Sequence, residues 1–334
     1  MKRTLYYEQM DDDAVKCNLC PHYCVIKKNH KGLCGIRLND KGTLYLEVYG
    51  KISAINSDPI EKKPLYHYYP GKNILSIGSI GCNFKCKFCQ NWEISQQVKE
   101  SMRSLQDYLP ESIIELVLKR KSFGIAYTYN EPTVWYEFML DIAKISHNHN
   151  LKNVVVSNGF INEKPLMELL NFIDAFNIDL KAFENDFYKK YSSATIEPVK
   201  SSLELIKNSG KHLEITNLII PGLNDDPETF LKMVKWISEN LGKDTVLHLS
   251  RYFPTYKLDI ESTPVKKLLE LFDIAKSELY HVYFGNVNVD KGKDSYCSKC
   301  GNLIIRRTGY NTNICSIDEN GKCTKCGQVD IKCC

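Results

Sequence analysis

Cys82, Cys86 and Cys89 stand close together in the run Gly81-Cys-Asn-Phe-Lys-Cys-Lys-Phe-Cys-Gln90. Thiolates are the usual ligands of iron–sulfur clusters, and such clusters normally take four of them. This C-x3-C-x2-C run supplies only three within one short loop. A cluster held here therefore keeps one iron open for a small molecule. A zinc site or a group of buried thiols is the alternative for three cysteines so placed.

The other cysteines are grouped as tightly. Of fourteen in the 334-residue chain, four stand at 17, 20, 24 and 34, and seven lie between 297 and 334. None occurs from Gln90 to Tyr296, so metal sites are expected to flank a cysteine-free catalytic body. Cys17-x2-Cys20-x3-Cys24-x9-Cys34 offers four thiolates, enough to close a coordination sphere. Zinc and an auxiliary iron–sulfur cluster both fit, because an all-thiolate donor set does not separate them. At the other end, Cys297-Ser-Lys-Cys300-Gly and Cys323-Thr-Lys-Cys326-Gly form two matching knuckles, the pattern of a zinc ribbon. Glycine after each second cysteine permits the tight turn around a metal. Cys315, Cys333 and Cys334 are left over and read as spare thiols.

Composition narrows the class. With 43% hydrophobic and 25% charged residues the chain reads as an ordinary globular protein, and a net charge of +4 gives no nucleic-acid footprint. The amino terminus turns acidic without an apolar core, so no signal peptide is expected. No apolar run approaches the roughly 18 residues of a membrane span, and a soluble, cytoplasmic chain is expected. In such a chain, clustered cysteines point to metal rather than to disulfides.

These groups need a frame to position them. Short apolar runs at 74–80, 124–129, 153–157, 175–179, 213–220 and 245–249 read as strands. Helical patterns at 133–150, 163–172, 199–209, 227–241 and 264–279 lie between or after them. Strands alternating with helices at this spacing predict βα units and a parallel sheet buried on both faces. Six units fall short of a closed eight-fold barrel, so a partial, open (β/α)6 TIM-like barrel is expected. Three regions follow: a cysteine-rich metal-binding segment over 1–72, the barrel over 73–290, and a zinc-ribbon-like module over 291–334.

Chemistry in barrels of this kind gathers at the C-terminal ends of the strands, and the remaining motifs fall there. Thr128-Tyr-Asn-Glu-Pro132 ends the second strand, Ser157-Asn-Gly159 the third, Asp179-Leu-Lys181 the fourth and Pro221-Gly-Leu-Asn-Asp225 the fifth. His248, Arg251 and Tyr252 lie at the sixth. Each has a plain alternative. Glu131 suits the first turn of a helix, Asn158-Gly159 suits a turn, Asp179 and Lys181 suit a surface ion pair, and His248 suits a core histidine.

The three-cysteine loop, with the aromatic Phe88 before its last cysteine, resembles the radical SAM superfamily. The resemblance implies a [4Fe-4S] cluster on Cys82, Cys86 and Cys89, with S-adenosylmethionine chelating the open iron through its amino and carboxylate groups. Reductive cleavage then gives a 5′-deoxyadenosyl radical. Tyr129-Asn-Glu-Pro132 is similar to the Gly-Gly-Glu-Pro element of that superfamily, and Asp179-Leu-Lys181 to an element of glycyl-radical activating enzymes. The resemblance thus implies Phe88, Asn130, Glu131, Ser157, Asn158, Asp179 and Lys181 as cofactor-binding residues, and the 221–225 loop as lying near the adenine. His248, Arg251 and Tyr252 are expected around the substrate. Over nearly its full length the chain resembles the AmmeMemoRadiSam-system radical SAM enzymes, through Cys17-Asn-Leu-Cys-Pro21, Asp58-Pro-Ile-Glu-Lys-Lys-Pro-Leu-Tyr66, 82–92 and the terminal knuckles. Those enzymes are similar to pyruvate formate-lyase activating enzymes. The resemblance implies an electron donor such as flavodoxin or ferredoxin, and AMMECR-domain and Memo-like proteins as partners. It brings no substrate. An activase that makes a glycyl radical, a nucleic-acid-modifying enzyme and a non-catalytic metal scaffold are the competing readings.

Overall fold

The computed structural model describes residues 1–332. Among these, the largest sheet has eight strands. In chain order they are β1 (Ala54–Pro59), β2 (Asn73–Gly78), β3 (Gly124–Tyr127), β4 (Lys152–Ser157), β5 (Ala175–Asp179), β6 (His212–Ile219), β7 (Val246–Arg251) and β8 (Val282–Gly285). Each pairs with its neighbour in sequence order. All pairs from β2 to β8 are parallel, and β1 joins β2 antiparallel at the edge. Helices α1 (Pro110–Lys119), α2 (Tyr136–Asn148), α3 (Glu163–Leu169), α4 (Glu197–Asn208), α5 (Pro227–Leu241) and α6 (Val265–Glu278) alternate with the strands from β2 to β8. The result is the α/β, mostly parallel architecture that the strand–helix alternation predicts, extended by one strand at each edge.

The local reasons are ordinary ones. Gly-Ile-Ala-Tyr of β3 is buried throughout, as a strand covered on both faces must be. Helix α2 buries Tyr136, Phe138, Met139, Leu140, Ile142 and Ala143 against the sheet while its later turns become polar. Helix α5 starts where Asp226 accepts a hydrogen bond from the Thr229 N–H at 2.8 Å, with Pro227 at its first position.

The chain before β1 forms two small antiparallel sheets, one from Lys2–Arg3, Arg37–Asp40 and Thr43–Leu46, the other from Tyr7–Gln9, Val15–Cys17 and Val25–Ile26. Their buried residues, including Val15, Ile26, Ile36, Leu44 and Leu46, belong to the same core as the main sheet. Arg37 anchors them to α2. It donates to both carboxylate oxygens of Glu137, at 3.1 and 2.7 Å, and the pair is almost fully buried. The expected boundary between 72 and 73 falls inside the β1–β2 pair, whose register runs from Ala54 opposite Gly78 to Pro59 opposite Asn73. The large sheet therefore begins before that boundary.

After β8 the chain builds a separate small sheet from Ser295–Tyr296, Leu303–Thr308 and Asn311–Ile314. Its core is its own: Cys297, Ile304, Ile305, Cys323 and Ile331. It docks on the connection between β1 and β2. Arg307 donates to the Tyr66 carbonyl at 2.7 Å, Thr312 to Glu61 at 2.7 Å, and Lys332 to the His67 carbonyl at 2.7 Å. Cys333 and Cys334 lie outside the described residues.

Candidate functional site

The cysteine loop leaves the end of β2 and is stitched down on both sides. Lys85 and Lys87 donate backbone hydrogen bonds to the Ser192 and Tyr191 carbonyls at 2.8 and 2.9 Å. Gly81 opens the loop with φ +83°, and a Cβ there would stand 2.7 Å from the Cys34 carbonyl oxygen, so only glycine allows this approach. Cys86 is buried beside Ser192, Sγ to Oγ 3.4 Å, and the Asn158 amide lies 3.9 Å from the Cys82 sulfur. Burial pushes the Cys82 thiol well up, with Glu131 adding to it, and burial likewise raises Cys86 and Cys89. Thiolates so disfavoured by their surroundings need a cation to hold them charged.

All three cysteines face one cavity of about 950 Å3 at the C-terminal ends of the strands. Residues of both sheet edges, Asp58 of β1 and Phe284 of β8, line the same cavity, so the open sheet curls around it. Phe88, Asn130, Glu131, Ser157, Asn158, Asp179 and Lys181 all line it as well.

Glu131 is the hub of this wall. Its carboxylate accepts from the Thr133 N–H at 3.0 Å, the Ser157 hydroxyl at 2.7 Å and the Asn158 N–H at 2.8 Å. Burial raises its pKa, and those hydrogen bonds pull against the shift. It thus caps the turn that follows β3, as the plain sequence alternative has it, and also ties the ends of β3 and β4 together. The Asn130 side chain bonds the start of the cysteine loop. Its amide donates to the Gly81 carbonyl at 2.8 Å, and its oxygen accepts from Ser79 N–H and the Trp135 indole at 3.0 and 3.2 Å. What Asn130 holds is the entrance of the cysteine loop.

Lys181 reaches into the cavity from the end of β5 and pairs with Asp179 at 3.1 Å, its ammonium 5.9 Å from the centre of the Phe88 ring. Burial alone would lower its pKa, but Asp179 and Cys86 outweigh burial and keep it charged. The Lys181 side chain is 14% exposed against 38% for Asp179, so the lysine end of the pair lies mostly inside the cavity wall.

A profile of the Radical SAM superfamily matches residues 76–237. An uncharacterized protein of Methanocaldococcus jannaschii is 42% identical over 335 residues, which span 99% of this chain and 99% of that one. The chain belongs to the radical SAM superfamily. The 4-hydroxyphenylacetate decarboxylase activating enzyme of Clostridium scatologenes is 24% identical over 166 residues, 47% of this chain and 51% of its own length. A radical SAM methyltransferase from Sphaerobacter thermophilus shares the fold at TM-score 0.50 and 16% identity, over 70% of this chain and 71% of its own.

Within this radical SAM domain, two expectations about the cavity need correction. Arg251 donates to the Thr263 carbonyl at 2.8 Å and Tyr252 to the Leu258 carbonyl at 2.6 Å, so both hold the loop after β7 and neither lines the cavity. The 221–225 loop is absent from the lining too. Asn224 instead donates to the Lys181 carbonyl at 2.7 Å and supports that residue from behind. His248 does line the cavity, and its ring bonds the buried Glu214 carboxylate at 2.6 Å.

Sequence reasoning gave no role to the 58–66 run, which forms the opposite wall. Lys63 donates to Asp58 at 2.8 Å, the Tyr129 hydroxyl donates to the same oxygen at 2.8 Å, and Lys63 sits 4.7 Å from the centre of the Tyr129 ring. Tyr310 of the C-terminal module reaches the rim of the same cavity. The signal was present in the charged and proline-rich Asp58-Pro-Ile-Glu-Lys-Lys-Pro64, but nothing in it said which face it covers.

The outer cysteines part company. Cys297, Cys300, Cys323 and Cys326 bring their sulfurs within 4.8 Å of one another, with 3.5 Å between Cys297 and Cys326 and 3.8 Å between Cys300 and Cys323. Four ligands at about 2.3 Å from one tetrahedral ion stand about 3.8 Å apart, so this group fits a single metal ion. Cys17, Cys20, Cys24 and Cys34 surround a small cavity of their own. Cys315 is exposed and its thiol donates to the Asn313 carbonyl at 3.5 Å.

Proposed function

We propose that this protein binds S-adenosylmethionine against a [4Fe-4S] cluster on Cys82, Cys86 and Cys89 and cleaves it reductively, using the radical on a substrate held in the same cavity. One observation carries the reading: the three loop thiols, the Lys181–Asp179 pair and the Glu131–Ser157–Asn158 cluster face a single cavity at the strand ends. When bound, the cluster supplies the electron that breaks the sulfonium bond, giving methionine and a 5′-deoxyadenosyl radical. The chain's own residues do the rest. Lys181 is held charged, suited to a carboxylate, and Asp179 keeps it aimed. Glu131 accepts three hydrogen bonds and retains acceptor capacity for an ammonium. Phe88 closes the apolar side and Asn130 fixes the loop. Asp58, Lys63, His248 and Tyr310 face the remaining space and are the substrate side of the cavity.

A tetrahedral all-thiolate site of the observed spacing supports zinc at Cys297, Cys300, Cys323 and Cys326. The electron donor is a one-electron protein reductant of the flavodoxin or ferredoxin class. The full-length resemblance favours AMMECR-domain and Memo-like proteins as partners, which co-purification from a native host tests.

An anaerobically reconstituted and reduced protein is expected to convert S-adenosylmethionine to methionine and 5′-deoxyadenosine, and Cys86→Ala to form none. Intact S-adenosylmethionine with the loop cluster present and reduced overturns the reading. A second reading, an activase acting on a glycyl-radical enzyme, is favoured by the activating-enzyme relative. Its mark is a glycyl EPR signal on a partner protein, and deoxyadenosine formation without any such signal counts against it.

A further inference from the structure

Three observations bear on the metal at the N-terminal cysteines. The first is room. Cys17, Cys20, Cys24 and Cys34 all line a cavity of about 20 Å3, walled otherwise largely by apolar side chains such as Leu19, Ile26 and Val134. About 10–15 Å3 by the same measure already admits one water, so the four side chains leave a gap at their centre and do not pack onto one another. Arg37 and Asn83 also border it, but their hydrogen bonds go to Glu137 and the Val134 carbonyl, and to the Phe160 carbonyl.

The second is spacing. Among the described residues, only the C-terminal four cysteines bring three or more metal-ligand atoms within 4.8 Å of one another. The N-terminal four ring a void without closing on a point, and so do Cys82, Cys86 and Cys89. Thiolates that share one ion must crowd to its tetrahedral edge of about 3.8 Å. Thiolates on the corners of an iron–sulfur cube are held by separate irons and stand wider.

The third is position. The Cys34 carbonyl packs against Gly81, and the His22 ring bonds the Asn83 carbonyl at 2.7 Å. The N-terminal site therefore touches the central loop on both sides of Cys82.

We propose that Cys17, Cys20, Cys24 and Cys34 bind a second [4Fe-4S] cluster, set directly against the loop that carries Cys82, and not zinc. The inference rests on room, spacing and packing and is independent of S-adenosylmethionine cleavage.

The test is metal and acid-labile sulfide analysis of the anaerobically reconstituted full chain in which Cys82, Cys86 and Cys89 are all changed to alanine. About four iron and about four sulfide per chain are expected to remain. Adding Cys34→Ser to that background is expected to remove the sulfide, whereas adding Cys315→Ser leaves it. An unchanged far-UV circular dichroism spectrum and thermal unfolding curve relative to the parent chain report that each variant has folded. A sulfide count near zero in the triple variant, with a second zinc or with no second metal, overturns the proposal. Turnover is not read, so a failure here is distinct from a failure of the catalytic assignment.

Discussion

Near each end of this chain lies a group of four cysteines, Cys17, Cys20, Cys24 and Cys34 at one and Cys297, Cys300, Cys323 and Cys326 at the other, and the two groups fold to opposite results. At the C-terminus the sulfurs converge to 3.5 and 3.8 Å, within a module whose core is five residues of its own. At the N-terminus the sulfurs ring a void, and the strands carrying them share the core of the main sheet. A module with so small a core depends on its metal for folding. A segment already welded to a large core does not, so the cluster proposed there would be free for another task. Each group has four cysteines; what differs is which apolar residues surround them.

The sharpest way to break this contrast is to remove each metal in turn. Cys300→Ser removes a ligand whose ion contributes on the order of 10 kcal/mol to folding in small zinc modules. Hydrogen exchange is expected to show loss of protection over Leu303–Thr308, with β3 to β5 unchanged. Cys20→Ser is expected to leave protection over Arg37–Leu46 intact, because Ile36, Leu44 and Leu46 remain buried. Equal loss at both ends would erase the distinction.

The N-terminal segment is further anchored by the buried Arg37–Glu137 pair. Glu137→Ala strands a guanidinium that is 2% exposed and is expected to cost about 3–5 kcal/mol in urea unfolding. The paired change Arg37→Met with Glu137→Leu is expected to recover most of that. If Glu137→Ala costs under 1 kcal/mol, the anchor lies elsewhere.

At the cavity wall the effect is smaller and depends on pH. Burial opposes ionisation of Asp58, but Lys63 and Tyr129 override it and hold the carboxyl at about 2. A carboxyl held below its unfolded value stabilises the fold fully above that value. Its contribution, on the order of 2 kcal/mol, is lost as pH falls from near 4 through about 2. Acid unfolding of the wild type is expected to steepen in that window, and Asp58→Asn to start less stable and lack the added slope. The smallest expected effect is at the docking of the C-terminal module, where Thr312→Val removes one hydrogen bond to Glu61 and is expected to cost about 1 kcal/mol. Faster exchange confined to Asn311–Ile314 would register it.

The sequence made much of this frame legible for a physical reason. Strands such as Asn153-Val-Val-Val156 are buried on both faces and show as apolar runs between helices. Strand β1 was not legible, because Ala-Ile-Asn-Ser-Asp-Pro is half exposed at a sheet edge and carries no apolar run. Strand β8 is as short as β3, but no helix follows it, so the strand–helix alternation did not mark it. Residue types at the strand ends were readable, but their partners were not. Arg251 lies where a pocket residue belongs, yet its side chain turns to the Thr263 carbonyl. Gly81 against Cys34, and Thr312 against Glu61, join residues far apart in the chain, and single-sequence patterns carry no such information. Cysteine spacing therefore marked the thiol groups, of which the C-terminal four converge as one metal ion requires, but left the kind of metal open.

The assignment as a whole turns on whether the central loop keeps one iron open. The EPR spectrum of the reduced, reconstituted protein with and without S-adenosylmethionine tests this directly. A change in the signal on adding S-adenosylmethionine is predicted for the wild type and not for the Cys82, Cys86 and Cys89 triple variant. Spectra of the wild type that superimpose with and without S-adenosylmethionine at saturating concentration would contradict it.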